Sequence, residues 1–391
     1  MEGDFIKIND WLLPLSWIYG AGVRLRNQMF EMGMLKSRSF DIPVISVGNI
    51  TVGGSGKTPH VEYLINLLRD KVKVAVLSRG YKRKSKGYML ATADTPMSDI
   101  GDEPYQMKKK FADIYVAVDK NRCHGIDQLT TNEETSDTDV ILLDDAYQHR
   151  YVKPGVNILL VDYHRLIMYD KLLPAGRLRE PQKGKARADI VIVSKCPADL
   201  KPMEFRVITK AMNLFPYQKL YFTTLKYGSL RPIYGGEDRK LDTLTGDTSM
   251  LLLTGIASPQ QMIVDLKPYT ERITPLTFPD HHQYTDADID RINTEFEAMK
   301  GNDKMIVTTE KDNARLCGME GLSDEVKKNI YVLPVEVGFM LDQEEDFNEN
   351  IIGYVRKNSR NSILAKAKDD NKSDNSDNSG NRTRTISFRN N

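Results

Sequence analysis

Short, almost continuously apolar runs alternate along the chain with stretches whose apolar residues recur at helical spacing. Ile42–Gly48, Val72–Ser78, Val140–Leu143, Val156–Val161 and Ile190–Ser194 lack the polar alternation of a half-solvated strand, so they predict strands buried on both faces. The helical stretches between them act as crossovers. The expected fold is therefore α/β, a mainly parallel sheet with helices on both faces. A further strand is expected at Leu220–Leu225. Beyond it, Lys226 to Thr248 is polar and turn-rich, with Gly228, Pro232, Gly235 and Gly236, and marks a domain boundary. A second alternation then begins. Met250–Thr254, Lys304–Thr308 and Tyr331–Val335 read as strands, and Ser258-Pro259 as a helix cap and first turn. Thr285 with Asp288 is a weak capping box before Ile289–Met299. The chain divides accordingly into an N-terminal region 1–40, a larger α/β domain 41–226, a linker 227–248, a second, smaller α/β domain 249–358, and a tail 359–391.

Composition narrows the function. At 391 residues, 40% hydrophobic, the chain has apolar material for two cores. Lys+Arg 55 against Asp+Glu 54 leaves a net charge of +1, which excludes a globally polycationic nucleic-acid binder, and no nucleic-acid partner is expected. Cys123, Cys196 and Cys317 stand apart, with neither CxxC nor zinc spacing; a reducing compartment is expected, with the three as packing residues. No run reaches the roughly 18 uncharged apolar residues that span a bilayer, and the start lacks the pattern of a signal peptide. Residues 11–23 are uncharged, carry both tryptophans, and are followed by Arg24, Arg26, Lys36 and Arg38. Such a segment suits a helix lying in the headgroup region of an anionic membrane. A helix packed on its own domain fits the composition equally. From about Ser359 the chain is polar and repetitive, and a disordered tail without catalytic role is expected.

Candidate chemistry concentrates in Val47-Gly48-Asn49-Ile50-Thr51-Val52-Gly53-Gly54-Ser55-Gly56-Lys57-Thr58-Pro59. A predicted strand precedes it and a predicted helix, Val61–Arg69, follows, the context in which GxxxxGK[ST] binds phosphate and a P-loop NTPase-like sheet is expected. Glycines let backbone N–H groups approach the phosphates, and the helix N-terminus adds partial positive charge. Thr51, Val52, Gly53, Gly54, Ser55, Gly56, Lys57 and Thr58 are the candidate nucleotide contacts, with Lys57 on the β/γ-phosphates and Thr58 on Mg²⁺. The strict pattern wants glycine where Thr51 stands, so Gly53 and Gly54 are expected to supply the turn. Val140-Ile-Leu-Leu-Asp144-Asp145 ends an apolar strand in two carboxylates, where ligands bind in open α/β sheets. Together they predict a nucleoside triphosphate with Mg²⁺.

Such a site fits a hydrolase, a switch GTPase or a kinase. Ser194-Lys195-Cys196-Pro197-Ala198-Asp199 is a partial echo of a guanine-reading element, while Lys195 equally fits a contact to the nucleotide or a helix terminus. Six motifs in order carry a resemblance: Gly48-Asn49 through Pro59, Ser78-Arg79-Gly80-Tyr81, Gly101-Asp102-Glu103-Pro104, Asp144-Asp145-Ala146-Tyr147-Gln148-His149-Arg150, Leu173-Pro174-Ala175-Gly176-Arg177-Leu178-Arg179-Glu180 and Thr309-Glu310-Lys311-Asp312. From about Trp11 to about residue 340 the chain resembles the tetraacyldisaccharide 4′-kinase family of the Gram-negative lipid A pathway. Ala146 and Tyr147 stand where that family favours glycine and phenylalanine, and Arg177 where it commonly has proline.

The resemblance implies transfer of the ATP γ-phosphate to the 4′-hydroxyl of an acylated glucosamine disaccharide 1-phosphate. It implies a cytoplasmic enzyme held peripherally on the inner face of the membrane, with the lipid and the anionic surface as partners and no obligate protein partner. It places the catalytic carboxylate at Asp102, in a motif that sequence alone reads as a polar turn. In Phe278-Pro-Asp280-His281-His282 it favours His281 over His282 as the partner, so that the two domains meet over the site. Lys57 completes the catalytic set, and Glu103 joins Thr58, Asp144 and Asp145 as a metal candidate. Arg79, at the head of a basic cluster with Lys82, Arg83, Lys84 and Lys86, is the candidate substrate contact, with Arg122 and His149. His60, His124 and His164 read as ordinary polar residues. The alternative from another class is a partitioning or chaperone-type P-loop ATPase, a switch that binds a partner and modifies no lipid.

Overall fold

The computed structural model describes residues 8–256, 259–316 and 319–359. The cap expected at Ser258, Cys317, and the tail from residue 360 onward lie outside the described residues. The larger sheet has nine strands, and Val44–Gly48 lies at its middle between Val140–Asp144 and Val156–Asp162. Beyond Val140–Asp144 come Val74–Ser78, Tyr115–Val118 and the two-residue edge Met89–Leu90; beyond Val156–Asp162 come Ile190–Ser194, Lys219–Tyr227 and Val335–Phe339. Neighbours pair in parallel except at the two edges, where Met89–Leu90 and Val335–Phe339 run antiparallel. The continuous apolar runs are thus explained. Ile45, Val47 and Leu142 face the helices Lys57–Leu68 and Glu344–Asn358 through Leu64, Ile65, Phe347 and Ile351. Val44, Ala75, Ile141 and Leu143 face Ile126 and Leu129 of the helix Arg122–Thr131.

The smaller sheet has the order Ile273–Thr277, Ser249–Thr254, Lys304–Thr309, Ile330–Leu333, Arg231–Pro232, parallel except for the last. Ile273–Thr277 is a largely exposed edge strand with a proline in it, which is why no apolar run announces it. The capping box at Thr285 and Asp288 is present and starts the helix Asp286–Ala298.

The strand expected at Tyr331–Val335 is in fact two strands in two sheets. Pro334 has no N–H to continue a ladder, and the chain leaves the smaller sheet there. Val335–Phe339 pairs with Lys219–Tyr227, and the following helix buries Phe347, Ile351 and Val355 in the larger core. Residues 335–358, expected within the smaller domain, therefore complete the larger one, and the small sheet is inserted between two adjacent strands. Entry and exit are tied where Gly228 N–H donates to the Pro334 carbonyl at 3.0 Å.

Near the N-terminus, the helix Leu13–Glu31 packs one side on the larger domain. Ser16 Oγ donates to the Leu172 carbonyl at 2.9 Å and the Tyr19 hydroxyl to the Arg179 carbonyl at 2.7 Å. Its other side leaves Trp17 and Ile18 exposed, beside Trp11 in the preceding turn, which is 92% exposed. Among the described residues no helix is long and apolar enough to cross a membrane.

Candidate active site

At the C-terminal end of Val44–Gly48 the chain passes under the loop that carries Asp145. A Cβ on Gly48 would stand 2.7 Å from Tyr147 Cβ and 2.8 Å from its backbone nitrogen, so only glycine admits the two segments this closely. Thr51 forms a bridge with Leu178, Val52 N–H donates to the Arg177 carbonyl at 2.8 Å, and Asn49 Nδ2 donates to Ser55 Oγ at 2.8 Å. Thr51 is extended and buried, so this position needs no glycine; the left-handed turns fall at Gly53 (φ 116°) and Gly56 (φ 77°). Lys57 and Thr58 then open the helix Lys57–Leu68.

The carboxylate pair lies against this loop. Asp145, in a left-handed backbone conformation, has Oδ1 3.5 Å from Lys57 Nζ and Oδ2 3.7 Å from Arg179 Nη1. Burial pushes its carboxyl upward, but the charges of Lys57 and Arg179 outweigh burial and hold it below the usual range. Asp144 is 1% exposed. Its Oδ2 accepts from Ser78 Oγ at 3.2 Å, while its buried Oδ1 has no hydrogen-bond partner. Burial first, then the negative charges of Glu103 and Asp145, push the Asp144 carboxyl up to about 7. A partnerless buried oxygen among three carboxylates fits a divalent cation. Among the described residues no three His, Cys, Asp or Glu side chains form a ready-made metal cage.

Asp102 begins the helix Asp102–Lys110 and reaches across to the smaller domain. Its Oδ2 accepts from Arg315 Nε and Nη2 at 2.9 and 2.6 Å and from His281 Nδ1 at 3.1 Å; Oδ1 makes none of these contacts. Burial acts most strongly on this carboxyl and acts upward, yet the His281 hydrogen bond and the Arg315 charge hold it well below the usual carboxylate range. Arg315, its side chain 1% exposed, also donates through Nη1 to the Gly255 carbonyl at 2.9 Å and to Asp312 Oδ1 at 3.0 Å. Asp312, wholly buried, accepts in turn from Gly255 N–H and from Thr309 Oγ1, at 2.9 and 2.7 Å. His282 belongs elsewhere, with Nε2 2.9 Å from Asp288 Oδ2 at the cap of Asp286–Ala298. Further ion pairs line the contact between domains: Lys311 with Glu103 at 3.3 Å and with Asp280 at 3.6 Å, and Lys110 with Glu62 at 2.6 Å and Glu310 at 2.8 Å. A cavity of about 220 Å³ lies between the phosphate loop and Ile256, Gln261, Met262 and Lys311 of the smaller domain.

Of the candidate substrate contacts, Arg79 is exposed. Arg122 is buried, and its guanidinium donates to the carbonyls of Asp119 and Asp144 at 3.0 and 3.3 Å, so it braces the strand end beneath the carboxylates. His149 Nε2 has no hydrogen-bond partner. Burial, then the charges of Arg122, Arg26 and Arg79, lower its pKa to about 4, so the ring is neutral amid arginines. Sequence reasoning missed Arg315 and Arg179 as site residues. Arg315 lies one helical turn beyond Asp312 of the quoted Thr309–Asp312 motif, a spacing that places both on one face. His60, read as an ordinary polar residue, touches the phosphate loop, with Nδ1 2.7 Å from the Gly56 carbonyl.

Comparison with known proteins places this arrangement in context. A family model described as tetraacyldisaccharide-1-P 4′-kinase matches residues 8–356. The chain is 60% identical over 363 residues to the tetraacyldisaccharide 4′-kinase of Phocaeicola vulgatus, covering 93% of this chain and 99% of the relative. It is 54% identical to that of Bacteroides thetaiotaomicron over 373 residues, 93% and 98% of the two chains. Among solved structures, LpxK from Aquifex aeolicus in complex with ATP superposes with a TM-score of 0.66 at 30% identity, covering 88% of this chain and 98% of that one. These matches do not favour the switch-ATPase alternative.

Proposed function

We propose that this chain, which belongs to the tetraacyldisaccharide 4′-kinase family, transfers the γ-phosphate of ATP to the 4′-hydroxyl of an acylated glucosamine disaccharide 1-phosphate in lipid A biosynthesis. The observation that carries the mechanism is the joining of Asp102, His281 and Arg315 across the domain contact, beside a phosphate loop whose lysine meets Asp145. Phosphoryl transfer through a loose transition state asks for positioning and charge neutralisation more than for a strong base. Arg315 and His281 fix Asp102 through Oδ2, which leaves Oδ1 to take the hydrogen bond of the sugar hydroxyl. Kept ionised, Asp102 orients the nucleophile, and the Asp102–His281 pair takes its proton as the new P–O bond forms and the bond from the γ-phosphorus to the β,γ-bridging oxygen breaks, with ADP leaving. Lys57, freed from Asp145 by the incoming triphosphate, neutralises the β/γ oxygens. Thr58 with one or two of the carboxylates Asp144, Asp145 and Glu103 would hold Mg²⁺, which when bound would neutralise phosphate charge. Arg26 and Arg179, which line one cavity, and the exposed Arg79 suit the substrate's own phosphate.

The lipid end has its own support. A cavity of about 840 Å³ opens between the N-terminal helix and Lys171–Arg187, lined by Leu13, Trp17, Leu172 and Leu178 with Arg24 and Lys183 at its polar margin. Trp11, Trp17 and Ile18 lie exposed in the N-terminal helix region. An aromatic, basic-flanked face of this kind lies in the headgroup layer of an anionic membrane. This face supports the reading of an enzyme held peripherally on the cytoplasmic side of the inner membrane.

The test is transfer of labelled γ-phosphate from ATP to a tetraacylated glucosamine disaccharide 1-phosphate. Label in the lipid with the wild type, and none with Lys57→Ala, is the expected result. His281→Ala lowers kcat by roughly 10²–10⁴ with little change in the KM for ATP, the range for a lost acid–base partner. ATP binding without label in the lipid would refute the reading.

A further inference from the structure

Three consecutive carbonyls of the phosphate loop are each held from outside the loop. Lys195 Nζ donates to the Gly54 carbonyl, Ser194 Oγ to that of Ser55 at 2.9 Å, and His60 Nδ1 to that of Gly56 at 2.7 Å. Each donor is itself fixed. Lys195 Nζ also donates to Asp162 Oδ2 at 2.9 Å, and Asp162 Oδ1 accepts from the His164 backbone N–H at 2.9 Å. The His60 ring is 4% exposed, and its Nε2 accepts from Thr223 Oγ1 at 3.0 Å. Burial pushes His60 down to about 4, so at neutral pH the ring is neutral. A carbonyl can only accept, so Nδ1, which faces Gly56, carries the ring proton, and Nε2 is left as the acceptor that the Thr223 hydroxyl fills. Ser194 is fully buried at the end of Ile190–Ser194.

The planar peptide unit turns this into a statement about donors. In a trans peptide the carbonyl and the following N–H point opposite ways. Tying the Gly54, Ser55 and Gly56 carbonyls outward therefore turns the N–H groups of Ser55, Gly56 and Lys57 inward, toward the anion such a nest binds. A free glycine-rich loop would have to be ordered by its ligand, and that ordering is subtracted from affinity. We propose that Lys195, Ser194 and His60 form an external brace that keeps the phosphate loop in its anion-binding shape before nucleotide arrives, with Lys195 a positioning residue for the phosphates. The proposal rests on the kinase reading only in taking that anion to be the polyphosphate of ATP or ADP.

The experiment uses the full chain, with Lys195→Met and, as the milder change, Ser194→Ala. Calorimetry measures binding of ADP and of adenosine, and hydrogen–deuterium exchange is followed in the nucleotide-free protein. Lys195→Met is expected to weaken ADP about tenfold and leave adenosine unchanged, a difference of roughly 1.4 kcal/mol confined to the phosphates. Amides 54–57 should exchange several-fold faster while those of 44–48 keep the wild-type rate. In turnover the KM for ATP rises and kcat at saturation stays near wild type. Ser194→Ala shifts the same readings in the same direction by less, and decides the matter should Lys195→Met loosen strand 44–48 as well. Unchanged exchange at 54–57, or equal losses for ADP and adenosine, overturns the brace. Weakened ADP binding in a protein that labels no lipid would retain the brace and remove the kinase.

Discussion

Arg315→Met isolates the contribution of the smaller domain to the chemistry. Methionine keeps most of the length and apolar volume and removes the guanidinium, and with it four donated hydrogen bonds: two to Asp102 at 2.9 and 2.6 Å, one to Gly255 and one to Asp312. Removing one partner of a buried ion pair costs about 3–5 kcal/mol, because the remaining charge stays desolvated. That cost divides between the domain contact, read as a fall in Tm, and the reaction. An Asp102 held only by His281 is free to turn, and a misplacement of about 1 Å costs roughly 10²-fold in rate, near 2.7 kcal/mol. The pH dependence carries the sign. In the wild type Asp102 lies below the ordinary carboxylate range, so its charge, and the stability from its pairing, persist at neutral pH and are lost only as pH falls through that lowered value. Without Arg315 the carboxyl loses that charge and its hydrogen bonds while burial and the His281 bond remain, so it rises from its lowered position and the acid limb of kcat moves to higher pH. Initial rates from pH 5 to 9 at saturating ATP and lipid, with thermal unfolding measured alongside, check both. Arg315→Lys restores the charge without the fork and recovers part of the rate. A variant that melts earlier yet keeps the wild-type kcat and acid limb would refute the assignment and leave Arg315 a purely structural residue.

Gly48→Ala brings a methyl to 2.7 Å from Tyr147 Cβ, about 0.7 Å inside ordinary contact; it should cost about 1–3 kcal/mol by overpacking and lower kcat through the neighbouring Asp145, seen together by thermal melting and steady-state rates. Replacing Trp11 and Trp17 by alanine removes two exposed rings, so stability should stay within about 0.5 kcal/mol of wild type while sedimentation with anionic vesicles falls; equal vesicle binding would make that helix a packing element alone.

The architecture was legible wherever a segment is buried on both faces. Val44–Gly48 and Ile190–Ser194 announce themselves because every residue meets a core. Ile273–Thr277 does not, because an edge strand with exposed residues carries no period to read. The phosphate loop was legible from its glycines, and Thr51, the apparent departure, turns out to sit in an extended bridge where glycine has no task. The carboxylate–histidine pair was legible only through a resemblance, since Asp102 and His281 are 179 residues apart and nothing local marks either. Arg315 was invisible for a related reason. Its partners are a carboxylate from the other domain and a carbonyl at Gly255, and both are set by tertiary packing. The splitting of one apolar run at Pro334 was legible in principle, because proline within a strand marks an end.

The insertion of the smaller sheet also dictates an order of events on the ribosome. All five of its strands lie within residues 231–333, so this unit is complete while the sheet around it still lacks its last strand and closing helix. Until Val335–Phe339 and Glu344–Asn358 emerge, Lys219–Tyr227 presents an open edge, and Tyr221 lacks the Phe347 ring that packs 5.3 Å away in the finished protein. Open edges recruit other chains, and nascent domains are most exposed at this stage. A shortened version for expression should therefore retain the C-terminal helix and remove the interior. Tyr227 and Val335 are cross-strand partners already, and a tight turn between them would close the larger sheet as a hairpin.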